Sequence, residues 1–191
     1  QQEPVDLIER LFGDPVFAEP PASLKRIAYL DPAFGGSDFS ALTFGGIAYG
    51  DDDKFTIYVT GGEIWRSQLD ETYNRVERLY NNSGAGTLFI EANQAQKAIA
   101  AEFKRRGIPV REITHTANKH LRIVNAVKVH WDCLRFSKHV SQDYMTQLLN
   151  YSELSRHDDA ADSLAGLIEC LGMGGARLEH RFDGLLHFLR W

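Results

Sequence analysis

Cysteine is nearly absent from this sequence. Cys133 and Cys170 are the two in 191 residues, each set in an apolar stretch without metal-ligand spacing. That excludes a disulfide framework, and the pair reads as small core residues of a protein from a reducing compartment. Long apolar runs are missing too. None approaches the roughly 20 residues needed to span a bilayer, and the first residues do not read as a signal peptide. Proline is sparse beyond the start, since four of the six (Pro4, Pro15, Pro20, Pro21) fall within the first 21 residues. Two motifs are lacking as well. Without Gly-x-x-x-x-Gly-Lys-Ser/Thr there is no P-loop, because Gly35-Gly36-Ser37 has neither the lysine nor the spacing. Without Gly-x-Ser-x-Gly there is no serine-hydrolase elbow.

What remains is the composition of an ordinary globular chain, 43% apolar and 25% charged, long enough to bury about 70% of its unfolded surface as one domain. Residues 1–24 read as a linker or a packed N-terminal arm, 25–172 as the domain, and 173–191 as a C-terminal tail with an apolar-basic end, FDGLLHFLRW. A start at Gln1 suggests a piece of something longer. The net charge of −5 is unevenly spread: between Lys97 and Lys138 ten Lys/Arg face three acids. This positive middle is either the rim of a phosphate-binding face or solvated helix surface.

The chain is organised around IAYLDPAFGGSDFSALTFGGIAY (27–49). An apolar run ends on Asp31, a Pro- and Gly-containing loop with Asp38 follows, and a second strand returns over 40–49. Residues 55–65 alternate as a third strand, giving an antiparallel meander. Ser67, with Asp70 in capping-box position, starts a helix that ends within Asn81–Gly86. TLFIEANQ (87–94) is a strand stopping on Glu91, followed by a helix over 94–106 closed by Gly107 and a strand over 108–113. Leu121, Val124, Val127, Trp131 and Leu134 keep helical spacing, with a short strand near 133–137 and a helix over 141–150. HDDAADSLAG (157–166) opens a final helix running to Leu171, with Gly172 as its stop. The order predicts an α/β fold: a mixed sheet of three antiparallel then parallel strands, helices on both faces, and the strand at 87–91 beside the first.

Three acidic features therefore converge on one sheet edge: Asp31, Glu91 and the helix start Asp158, Asp159, Asp162. Parallel neighbouring strands would leave Asp31 and Glu91 about 5 Å apart. Gathered carboxylates repel, and a divalent cation removes that repulsion. Oxygen-only ligands favour Mg²⁺ or Mn²⁺, and two such ions suit phosphodiester hydrolysis. Each acid has a plain alternative: a turn Asp at 31, a loop acid at 91, an N-cap at 158 or 159. Helical phase sets Ala161, Leu164, Ala165 and Ile168 as the buried stripe, with Asp158 and Asp162 at its margin and Asp159 further out. His157 reads as a pre-cap residue or a metal ligand, and Asp38 as a strand cap or an anchor for a metal water. Lys119, His120, Arg122 and Lys128 are candidates for sequence-independent phosphate contacts.

The set YLDPAFGGSDFSAL, FIEANQ and HDDAADSLAG, in this order and at these separations, resembles the nuclease domain of a tailed-bacteriophage large terminase subunit. The resemblance covers roughly 26–171. It implies an RNase H-like fold related to resolvases. It also implies a two-metal (Mg²⁺ or Mn²⁺) endonuclease cutting concatemeric double-stranded DNA during genome packaging in the host cytoplasm. By that similarity Asp31 bridges the metals, Glu91 is the second acid, and Asp158 or Asp159 the third, with Asp162 a further candidate ligand. It implies as partners an ATPase domain of the same polypeptide, the small terminase subunit and the portal, with the isolated domain monomeric and no membrane. Glu91 departs from relatives that carry Asp there. A structure-selective resolvase-type nuclease and a non-catalytic docking module are the competing readings.

Overall fold

The computed structural model describes residues 10–91 and 93–173, so residues 1–9 and the tail from 174 onward lie outside the described residues. Six strands form one sheet in the order β5-β4-β1-β2-β3-β6. β1 (Arg26–Asp31), β2 (Ser40–Tyr49) and β3 (Phe55–Trp65) are the antiparallel meander. β4 (Ala85–Glu91) adds parallel to β1, β5 (Val110–Ile113) parallel to β4, and β6 (Leu134–Phe136) parallel to β3. This is the mixed sheet the sequence predicts, three antiparallel strands then parallel ones, with the crossover from β3 to β4 passing through α1 (Leu69–Ser83) and that from β4 to β5 through α2 (Gln96–Arg105).

Strand alternation assigns the two faces. Ala28, Leu30, Leu42, Leu88 and Ile90 pack with Tyr73 and Val76 of α1 and Ile99, Ala100 and Phe103 of α2. Tyr29, Phe89 and Ile113 point the other way. There they meet Ile123 of α3 (Lys119–Ile123), Leu148 of α4 (Gln142–Leu149) and the apolar body of α5 (Asp159–Met173). Asp31 and Glu91 each follow two residues after Tyr29 and Phe89, so alternation sends both to the α5 face.

Several local expectations are corrected. α1 begins after Gln68 rather than Ser67, and no side chain caps it. The Ser67 hydroxyl is engaged instead with Thr72 Oγ1 at 3.0 Å, which also accepts from Trp65 Nε1 at 3.1 Å. Gly172 does not stop α5, which runs through Met173. A single buried stripe on α5 is also wrong: every residue from Ala160 to Ile168 is buried, because the helix lies between the sheet and α3 and α4. The helical run at 119–128 is only α-helical to Ile123. A π turn over Val124–Lys128 follows, closed by Val129 N–H donating to Val124 O at 3.2 Å.

The N-terminal arm is packed from its described start. Phe12 is buried and stacks on Trp131 at 4.9 Å, and Phe17 bridges to Phe136 beside β6. The body of the fold therefore begins before residue 25.

Candidate active site

Tyr29 decides where α5 crosses the sheet. A Cβ built on Gly166 would fall 2.2 Å from Tyr29 Cζ, so only glycine allows the helix to lie this close to β1. Behind this contact Ser163 Oγ meets Thr43 Oγ1 at 2.8 Å and donates to Tyr29 O at 3.2 Å, while Thr43 Oγ1 also meets Tyr144 OH at 2.7 Å. These buried hydroxyls satisfy one another and fix the helix lengthwise. One turn before Gly166, on the same helix face, stands Asp162. Two residues after Tyr29, on the same strand face, stands Asp31. The crossing thus delivers a helix acid to a strand-end acid.

Glu91 arrives from the neighbouring strand. Leu30 pairs with Ile90 in parallel register, and Asp31 and Glu91 are the next residues of each strand. Directly beyond, Asn93 and Gln96 exchange bonds, Gln96 N–H donating to Asn93 Oδ1 at 3.0 Å and Asn93 N–H to Gln96 Oε1 at 3.2 Å. This reciprocal cap fixes the exit of β4 into α2. The loop after Asp31 takes its shape from Gly35 (φ +106°) and Gly36 (φ +82°), a left-handed pair with nothing within 4 Å of a built Cβ. No side chain is placed at these two positions, and the space around them is open.

The acids act on one another. Burial first, then Asp162, with Asp159 and Glu91 adding, push the Asp31 carboxyl well above the ordinary carboxylate range, against the opposing pull of Lys119. Asp159 is raised as well, by burial and then by Asp158. Its Oδ2 accepts from Gln147 Nε2 at 3.3 Å, while Gln147 Oε1 accepts from Ala160 N–H and caps the helix start. Asp159, which helical phase sets further out than Asp158 and Asp162, also acts electrostatically on Asp31. Asp158 instead accepts from Lys119 Nζ at 3.3 Å.

Two cations of α3 sit among these carboxylates. Arg122, expected at a phosphate-facing surface, is turned inward: it is buried, with Nη1 3.2 Å from Asp162 Oδ1 and Nε donating to Glu169 Oε1 at 3.2 Å. Glu169 also pairs with His115 Nδ1 at 3.1 Å, and His115 Nε2 meets Tyr29 OH at 2.9 Å. Sequence reading missed this buried chain, although Glu169 stands seven residues after Asp162, on the same helix face. Lys119 Nζ lies 3.3 Å from Asp158 Oδ1 and 3.6 Å from Asp162 Oδ2. His120 Nδ1 is bonded with Tyr151 OH at 2.8 Å, and Lys128 is exposed on the π turn. His157 packs its ring edge-on to Phe39 at 5.3 Å, and Asp38 is exposed in the loop. Part of the positive charge of the middle is neutralised at the surface, where Lys104, Arg105 and Arg106 pair with Glu112, Glu102 and Glu77.

Among the described residues no three His, Cys, Asp or Glu side chains are drawn close enough to grip an ion as they stand. The chemistry of the donor set nevertheless suits a hard divalent cation. All its donors are carboxylate oxygens, one of them strained by burial and by like charge, and Asp162 Oδ1 is buried without a hydrogen bond of good geometry. Among the described residues no helix is long and apolar enough to cross a membrane.

No sequence-family description and no curated protein matches this chain. Solved structures do. The large terminase nuclease from thermophilic phage G20c, in a crystal structure with bound zinc, aligns at TM-score 0.55 and 15% identity, covering 83% of this chain and 94% of that one. The large terminase nuclease domain of Thermus phage P74-26 aligns at 0.56 and 12%, covering 85% and 92%. The large terminase of bacteriophage HK97 aligns at 0.54 and 12%, covering 84% of this chain and 41% of that one. The fold is that of large terminase nuclease domains.

Proposed function

We propose that this chain is the nuclease domain of a tailed-phage large terminase. In this reading it is a divalent-metal-dependent endodeoxyribonuclease that cuts concatemeric double-stranded viral DNA during genome packaging in the host cytoplasm. The observation that carries the reading is that strand register sets Asp31 beside Glu91 while Asp162 and Asp159 of α5 act on the Asp31 carboxyl, which burial and then these neighbours hold well above its ordinary range. A purely structural edge would have no reason to bury a carboxylate among other carboxylates.

Asp31 and Glu91, with Asp158, Asp159 and Asp162 of the α5 start, would hold two Mg²⁺ or Mn²⁺ ions, and zinc bound to the G20c nuclease supports a divalent ion on this fold. Bound there, the ions supply activation of water and charge neutralisation at the leaving oxygen of the phosphodiester. The protein's own part is positional. Asp31 and Glu91 are held by strand register and Asp162 by the Gly166–Tyr29 crossing and by Arg122, while the side-chain-free Gly35–Gly36 turn would let a sugar-phosphate backbone approach. The ATPase half of the polypeptide, a small terminase subunit and the portal belong to the same reading as partners.

Supercoiled plasmid incubated with the protein and Mn²⁺ or Mg²⁺ tests it. Nicked and linear products are expected with the metal and not with a chelator. Asp31→Ala and Glu91→Ala are each expected to lower the rate by on the order of 10²-fold or more. Metal-dependent cutting that persists at the wild-type rate in both variants overturns the site assignment.

A further inference from the structure

Two cations from one short helix reach the same acids, and they are held very differently. Arg122 is buried, ion-paired with Asp162 at 3.2 Å and donating to Glu169 at 3.2 Å, between α3 and α5. Lys119 opens α3, its side chain half exposed at 49%, and it spans Asp158 and Asp162 with one ammonium at 3.3 and 3.6 Å. Asp31 also acts on Lys119, so three of the site's acids share this single charge. An ammonium on a four-carbon stem is a compact, well-hydrated point charge that can swing into water. A guanidinium fixed on two carboxylates cannot do so without breaking both contacts. Nothing else about Lys119 requires the inward pose: the helix start it occupies is capped by Asn118, whose Oδ1 accepts from Leu121 N–H at 3.3 Å.

We propose that Lys119 is a resident counter-cation that competes with divalent metal for Asp158 and Asp162 and so sets the metal affinity of the site. Arg122 is the permanent strut, and Lys119 the displaceable one. Metal entry swings the Lys119 ammonium off the two aspartates, leaving it at the mouth of the site where a phosphate would pass. The inference rests on the metal-site reading above and adds a threshold to it: the acids stay neutralised at low metal, and cutting competence requires enough divalent ion to evict the lysine.

Isothermal titration of Mn²⁺ into the full chain, without DNA, separates the two ideas. The titrated proteins are wild type, Lys119→Met, Lys119→Arg, Lys128→Met and Asp31→Asn. Lys119→Met is expected to bind Mn²⁺ about tenfold more tightly than wild type, a change of about 1.4 kcal/mol. Lys119→Arg should stay at or below wild-type affinity. Lys128→Met, which removes an equal charge from an exposed position off the acids, should remain within about twofold. Asp31→Asn should lose the binding. If Lys119→Met binds no more tightly than wild type, or if Lys128→Met tightens binding as much, the competing role of Lys119 is overturned while the metal site stands. If wild type and Asp31→Asn bind Mn²⁺ alike, the metal-site reading fails and the role of Lys119 falls with it.

Discussion

Asp31 carries a conflict that can be measured without any DNA. Its proton is held more tightly in the folded protein than in the unfolded chain, because burial and then Asp162 disfavour its charge. The sign follows from linkage. The contribution to stability is fully present below the ordinary carboxylate pKa and is lost as pH rises through the raised folded value. In chelator, Asp31→Asn is therefore expected to melt higher than wild type at neutral pH. A relief of order 1 kcal/mol corresponds to about 2–4 °C at this size. The same variant should lose the stabilisation that Mn²⁺ gives to wild type. Thermal melts with and without Mn²⁺ check both, and a lower melting temperature for Asp31→Asn in chelator would contradict the strain. Sequence alone could nominate Asp31, since an apolar run ending on an acid is visible in the letters. It could not assign Arg122, whose inward turn depends on Asp162 and Glu169 arriving from a helix 40 residues later.

At the scale of elements, strands were the most legible part. β2 and β3 lie over 40–49 and 55–65 as the apolar run and the alternation predict, because each is bounded by turn residues. Helix starts were less legible, because hydroxyl and amide partners come from elsewhere: Thr72 takes Ser67, and Gln147 from α4 caps α5. Phase on α5 misled for a related reason. A helix buried nearly all round has no polar face to set the stripe, so phase could not rank Asp158, Asp159 and Asp162. The contact that positions α5 is a missing side chain, Gly166 against the ring of Tyr29. Gly166→Ala is expected to cost about 1–3 kcal/mol through overpacking, despite alanine's better helix propensity. Urea unfolding should show a lower midpoint with an unchanged slope, and metal affinity should fall too because Asp162 is levered away from Asp31. A variant as stable as wild type would mean that helix and strand can separate at no cost.

Across the whole molecule, the two faces of the sheet divide the labour. The α3–α5 side holds the acids, and the α1–α2 side is tied by surface ion pairs. Glu102 accepts from Arg105 and Arg106, and Arg106 reaches across to Glu77 of α1 at 2.7 Å. The Arg105 and then Arg106 hydrogen bonds pull the Glu102 carboxyl down to about 2. A depressed carboxylate contributes stability that is present above its ordinary pKa near 4.5 and is lost as pH falls toward 2. Glu102→Gln should therefore melt lower than wild type near neutrality and converge with it at pH 2, the difference being small because the pair is exposed. Melting curves across that pH range check it; parallel curves would place the stabilisation elsewhere. Cutting should be indifferent to this change, since the cluster lies on the far side of the sheet from Asp31.

The docked N-terminal arm has a mechanical consequence. Tension entering at residue 10 is borne first by the Phe12–Trp131 stack and by the two backbone bonds at Phe136, from Phe136 N–H to Val16 O and from Ala18 N–H to Phe136 O. Those contacts sit at the β6 edge, while β1 and β4 lie on the other side of β2 and β3. Under load the arm would peel one contact at a time, like a fuse, before any strand bearing a carboxylate moved. The chain can be tugged along its length without misaligning the acids.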